Sequence, residues 1–509
     1  MKSFAFAATA ALVALSTVAD SPPALTPLGT LKTGPLRGED PRIAEINAYD
    51  PAGRRIYVVN PLNGRLDVID ASDPAAPLAG VPLDLVSECQ SALGTACPLV
   101  AGGEPNSVAI QGRLLVVAVA NAVRTANGHA VFFKLRGADK PLFLDAVEVG
   151  ALPDMITFSP DGKYVLTANE GEPNPDYTID PPGSVTIIEL AGVGNRKAVR
   201  QVGFHAFDTP EEREKLRQDG VRIFGPGAAV SQDLEPEYIS IAGNALDASD
   251  QDGGINIRNW PIYGLYEPDA IHTFNVRGQT YLIMANEGDA REYAGYVEAV
   301  RLNNTGYLLD PIAFPAPASV KANAALGRLN VSTASGDVDG DGDFDRIEVP
   351  GARSVSIRDE LGRLVWDSGE MFERLSELHD GTLSLFNTTN TANTRENRSD
   401  DKGVEPESVV VGRVKGRLYA FIGLERDSGI VVLDLSTPTS PTFVTCVTNR
   451  KLPRNPTTGA LLACNEVNNC GDLGPEGLTF VPADQSPTGK ALLVVSNEVS
   501  STTTIWQVD

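Results

Sequence analysis

Histidine, tryptophan and methionine are scarce here: four, three and four residues in a chain of 509. His129, His205, His272 and His379 stand far apart, and the five cysteines include no Cys-x-x-Cys pair. A zinc centre of nitrogen and sulfur ligands therefore has no support. Basic residues are in deficit, 42 against 66 acidic ones, for a net charge of −24. That balance speaks against nucleic acid or an anionic membrane as partner and favours cations. Beyond the N-terminal leader no apolar run reaches spanning length. A Gly-x-Ser-x-Gly nucleophile elbow and a glycine-rich phosphate loop are missing too. Helical patterning is confined to short stretches, the best at 210–218. What the chain does have is 48 glycines, 36 prolines and 42% hydrophobic residues, which suits a many-turned fold with a buried core.

Residues 1–19 read as a secretory signal: Lys2, an apolar stretch at 4–15, then Thr17-Val18-Ala19 as a small-residue cleavage site. The expectation is an exported protein, secreted or periplasmic, with no membrane span and residues 20–509 as one domain. Cysteines suit such an oxidising compartment. Cys89 and Cys97 share one loop and are expected to pair. Cys446, Cys464 and Cys470 lie together, so one of the three is left over, and the spacing does not say which.

The clearest unit spans 152–190. An alternating run at 154–159 meets a turn at Pro160-Asp161-Gly162, a second run covers 164–168, and a third covers 184–190. Short antiparallel strands joined by turn residues make most of a propeller blade. Variants recur at 43–70, 107–135, 235–241, 267–367, 408–448 and 477–508. The expected fold is therefore all-β, a seven-bladed β-propeller. Its fourth blade breaks off after Ile241 and is incomplete; its fifth carries a long insertion, 294–352, and a polar connector follows at 371–403. Three strands at the C-terminus and an orphan strand at 25–33 predict a closing blade shared by the two ends, which removes open sheet edges.

Acidic residues recur at fixed places in these units. One series enters the first strand after proline: Asn106, Asp154, Glu237, Asp269, Glu407 and Glu476. Another sits where the second strand ends: Asn60, Asn121, Asn169-Glu170, Asn286-Glu287, Glu425 and Asn497-Glu498. In an antiparallel blade those two places share one edge, so both series gather at one mouth of the channel. Like charges a few Å apart repel by roughly 4 kcal/mol a pair at an effective dielectric of ~20. Arg291 and Arg426 are too few to relieve nine acids, and bound calcium is the economical answer. The plainer alternative is that each acid merely accepts backbone N–H groups in its turn.

Within the insertion, Asp337, Asp339, Asp341, Asp343, Asp345 and Glu348 match the spacing of an EF-hand calcium loop, with Gly342 at its sharp turn. The strand-like flank at 346–349 makes this a structural loop rather than an opening sensor. Asp247, Asp250 and Asp252 form a looser group, either a metal site or a solvated loop.

The segments Arg222-Ile223-Phe224-Gly225-Pro226-Gly227, 252–261, 285–291, 399–403 and Gly474-Pro475-Glu476-Gly477-Leu478 resemble the choice-of-anchor I family. This is an exported propeller family, itself similar to mesenchyme-specific cell surface glycoproteins linked with biomineralisation, and the match spans nearly the whole mature chain. It implies a calcium-binding protein of the cell surface or extracellular matrix and mineral. Some members resemble propeller phosphatases and phytases. On that likeness Glu170, Glu287, Glu425 and Glu498 would hold calcium, and Arg291, Lys402 and Arg426 would meet the phosphate ester in a calcium-dependent phosphomonoesterase. Two departures stand out: the middle of the fourth unit is missing near 241–244, and the family's C-terminal anchor is absent, which predicts a released protein.

Overall fold

The computed structural model describes residues 22–35, 43–159, 161–191, 196–218, 221–234, 241–242, 245–375, 385–464 and 470–509. The leader at 1–19, Glu237 and the entry of the fourth unit lie outside them.

Among the described residues six sheets form the ring, not seven: five have four strands, and the first has a fifth, short one, Leu83–Asp84, on its third strand. Blade A runs Asn47–Asp50, Arg55–Asn60, Arg65–Asp70 and Leu78–Ala79. Blade B runs Glu104–Gln111, Leu114–Ala120, Asn127–Arg136 and Asp139–Ala151, and blade C runs Pro153–Phe158, Tyr164–Asn169, Ser184–Leu190 and Arg196–Gly203. Blade D uses Ala270–Val276, Gln279–Asn286, Ser354–Asp359 and Leu364–Asp367. Blade E uses Pro406–Val414, Arg417–Leu424, Gly429–Asp434 and Thr442–Thr448. Blade F closes the ring as expected: Pro475–Val481, Ala491–Asn497 and Thr502–Val508 take Leu25–Lys32 as their outermost strand, paired from Leu25 opposite Val508 to Lys32 opposite Thr502 with a register shift between Pro27 and Gly29.

Local chemistry explains these strands. Leu114–Ala120 is apolar and buried along its whole length, as an inner strand covered on both faces must be. Arg277-Gly278 and Lys415-Gly416 have positive φ at both residues (54° and 86°, 49° and 83°), a combination that matches the twist of a tight hairpin. Cys89 pairs with Cys97, and Cys464 with Cys470, leaving Cys446 as the free thiol.

Five of the six blade junctions are sealed by apolar clusters drawn from both neighbours, such as Tyr57 and Phe133 between A and B, or Phe421 and Trp506 between E and F. Among the described residues no such cluster joins C to D. What remains of the fourth unit goes elsewhere. Ile241–Ala242 pairs with Ile262–Leu265, which lies parallel to Ile347–Val349 of the insertion. Leu246, Ala248 and Ile262 then pack on Leu302, Tyr307, Leu329 and Val331. The fourth unit is thus no blade: its remnant and the fifth unit's insertion share one accessory core beside the seam between C and D. The proline-acid entry recurs at 236–237, but no two strand-forming runs follow it before the next unit at 267, so the expected seventh blade is absent from the ring of six.

Candidate metal centre at the channel mouth

Two repeated devices bring carboxylates to one mouth. At Pro153/Met155, Pro406/Val409 and Pro475/Gly477 the strand register shifts, so Asp154, Glu407 and Glu476 sit at bulges that turn them out of the normal alternation. The residue before each proline is left-handed: Leu152 (φ 46°), Glu405 (φ 50°) and Gly474 (φ 69°). Its carbonyl accepts the N–H of the acid ending the second strand of the same blade: Glu170 to Leu152 at 3.0 Å, Glu425 to Glu405 at 2.9 Å, Glu498 to Gly474 at 2.8 Å. Entry and exit acids are therefore stapled edge to edge. The asparagines before the exit acids are anchors, not ligands. Asn169 donates to Ser184 and Thr186, and Asn286 to Ser354 and Ser356, all buried.

The result is two carboxylate trios. Asp269, Glu407 and Glu476, from blades D, E and F, place oxygens within 4.8 Å of one another, and Glu287, Glu405 and Glu425 do the same beside them. Oxygens around one calcium ion, each 2.3–2.6 Å away, stand at most about 5 Å apart. Both trios meet that spacing with hard carboxylate donors alone, and the chemistry fits calcium rather than zinc.

Their electrostatics differ. Asp269 reaches the water of the channel yet lies deep among protein atoms; that depth, with Asp154 opposite, pushes its carboxyl up to about 7. Burial, then Glu287, Glu476 and Asp269, lifts Glu407 well above the usual range. Burial and the neighbouring Glu498 do the same to Glu476, and burial and Glu425 to Glu498. Asp154 is raised by burial and by Glu172. In the second trio, burial would raise Glu405, but Lys402, Arg426 and Arg398 override it and hold the group well below its normal value. Glu287 and Glu425 are raised, chiefly by burial, against the pull of Lys402 and Arg426.

Glu170 lines a cavity of about 1050 Å³ at the seam between C and D, together with Asp154, Asp269, Glu287, Lys402 and Arg426. The three cations expected to meet phosphate are held by acids: Arg291 by Asp233 at 2.6 Å, Lys402 by Glu287 at 2.7 Å, and Arg426 by Glu405 at 2.8 Å and Glu425 at 3.1 Å. In the insertion, Asp337, Asp339 and Asp345 converge within 4.8 Å. Their loop is also pinned by its own backbone, Gly340 and Gly342 donating to Asp337, and Val338 to Asp345. Asp341 accepts from the Asp343 N–H, while Glu348 is buried in its strand and accepts from Ser335. Asp247, Asp250 and Asp252 separate: Asp247 takes Ser399, Asp250 pairs with Arg328, and Asp252 takes Asn256.

Two further acids lie outside the two sequence series: Glu405, which belongs to the second trio, and Glu267, which Arg222 holds. A signal was there: Glu235-Pro236-Glu237, Glu267-Pro268-Asp269 and Glu405-Pro406-Glu407 repeat an acid on both sides of the entry proline.

The chain is similar to two named proteins. Gigasin-3a of Magallana gigas is 30% identical over 200 residues, 37% of this chain and 67% of that protein. The mesenchyme-specific cell surface glycoprotein of Strongylocentrotus purpuratus is 24% identical over 316 residues, 47% of this chain but only 40% of that longer protein. Among solved structures, the RRP9 WD40 repeats cover 96% of this chain and are covered whole, at 9% identity and a TM-score of 0.42, too distant to add to the fold described above. The choice-of-anchor I domain matches residues 45–244 and 241–438, two stretches that meet where the fourth unit breaks off. With most of its length matched, the chain belongs to the choice-of-anchor I family.

Proposed function

We propose that this protein is an extracellular propeller that binds calcium at its channel mouth through Asp269, Glu407 and Glu476, and serves as a binding or matrix protein at or beyond the cell surface. The observation carrying this reading is the convergence of those three carboxylates from three blades, with acids as their strongest charged neighbours. Calcium would supply the positive charge that lets them ionise together, and would tie blades D, E and F. Asp337, Asp339 and Asp345 make a second calcium position in the insertion. Two disulfides and a relative named as a cell surface glycoprotein support the location, and no helix among the described residues is long and apolar enough to cross a membrane.

Calorimetric titration with calcium tests the reading. Wild type takes up the ion at the mouth, and Glu407→Gln loses that uptake while keeping the uptake of the 337–345 loop. At tenfold saturation, binding raises stability by about 1.4 kcal/mol. No uptake at millimolar calcium sinks the proposal. The rival, a calcium-dependent phosphomonoesterase, needs Arg291, Lys402 and Arg426 turned toward a phosphate ester, whereas carboxylates hold all three. Phosphate-ester assays with and without calcium are expected to show no turnover; turnover lost in Glu287→Gln would favour the enzyme.

A further inference from the structure

We infer that Lys402 is a built-in counter-ion that fills the second carboxylate trio in place of a divalent cation, so that the mouth takes its calcium only at Asp269, Glu407 and Glu476. For the first trio this rests on the function proposed above; for the second it stands on geometry of its own. The Lys402 ammonium lies 2.7 Å from Glu287, 3.4 Å from Glu405 and 3.7 Å from Asp289. Arg426 reaches Glu405 at 2.8 Å and Glu425 at 3.1 Å, and Arg398 takes the other oxygen of Glu405. Three fixed positive charges thus face the three carboxylates of this trio. Among the described residues no comparable set faces the other trio, whose strongest charged neighbours are acids.

The lysine is not a loose surface arm. Its side chain is 13% exposed. It leaves a tight turn in which Asp401 and Gly403 both donate to the Arg398 carbonyl at 3.1 Å, while Asn330 donates to the Asp400 carbonyl at 3.0 Å. An ammonium has three donors and one charge, and the turn presents it without the translational cost that a free ion incurs. A calcium ion entering here would have to expel the ammonium from its carboxylates and leave that charge among Arg398 and Arg426. A tethered cation in a balanced site therefore outcompetes a free one at millimolar concentration, although the trio's oxygens are close enough to surround an ion. Removing calcium then empties the first trio while the second stays closed.

The test counts ions in protein carrying Asp339→Asn and Asp345→Asn, which silence the insertion loop. Equilibrium dialysis against calcium is expected to give one additional equivalent in Lys402→Met relative to Lys402, and adding Glu287→Gln removes the gain. A folded Lys402→Met protein with unchanged stoichiometry overturns the inference. Lys402→Gln, which keeps a hydrogen-bonding head without the charge, gives the same gain if the methionine variant does not fold. A readout free of substitution is reductive methylation of Lys402 followed by mass spectrometry. Protection is expected with and without calcium, and unmasking by calcium refutes the assignment. If Lys402 protein binds nothing at the mouth while Lys402→Met gains an ion, the calcium function of the first trio fails and the counter-ion inference stands.

Discussion

Glu405 concentrates the energetics of the mouth in one side chain. It is fully buried, left-handed at φ 50°, and shared by Lys402, Arg426 and Arg398. Replacing it by glutamine takes from Lys402, Arg426 and Arg398 the one carboxylate they share, leaving Glu287, Glu425 and Asp401 as the nearest acid partner of each in turn, so Glu405→Gln is expected to cost about 3 kcal/mol in urea unfolding. Asp247 makes the opposite case. Burial lifts its carboxyl to about 7, and only Ser399 opposes that strongly. Because the folded protein then holds a proton that the unfolded chain releases near pH 4, stability falls as pH rises from ~4 to ~7. Asp247→Asn should flatten that slope, and the difference between wild-type and variant unfolding curves across pH 4–8 isolates it. Spacing alone does not single out Glu405, and it leaves Asp247 as one acid of a loop cluster: burial decides both, with Ser399, 152 positions away, as the partner of Asp247 and Arg398, Lys402 and Arg426 as those of Glu405.

At the scale of the element, the inner strands and their hairpins were legible, since alternation, proline-acid entries and positive-φ turns are all local. The Leu25–Lys32 strand was legible by elimination: three C-terminal strands lacked a fourth. Deleting residues 22–33 exposes the Thr502–Val508 edge and is expected to lower the melting temperature and cause concentration-dependent aggregation, measurable by light scattering. Gly412 has a different constraint. A Cβ there would meet the Phe480 ring at 2.5 Å, across the junction of blades E and F. Gly412→Ala should therefore destabilise by about 1–3 kcal/mol through overcrowding, read by chemical denaturation. Sequence spacing could not show this, because the ring arrives from another blade.

For the whole molecule, the seam between C and D is the weak point. Five junctions bury apolar clusters from both sides, while among the described residues this one has the accessory core beside it and the cavity, lined by Phe204, Phe207, Leu216 and Val221. Local opening should begin where buried apolar contacts are fewest. Limited proteolysis is expected to cut first within 204–218, and hydrogen exchange to be faster there than in blades A, E and F. First cleavage inside blade E or F would contradict it.

Blade-forming segments, the shared closing blade and the gathering of acids at strand entries follow from patterns a few residues long, so composition and spacing carry them. The count of six blades, the merging of the broken fourth unit with a distant insertion, and the division of the acids into an uncompensated trio and a lysine-filled one follow from which surfaces meet. Those meetings join residues far apart along the chain, and burial sets their charges. Only the folded ring contains that information.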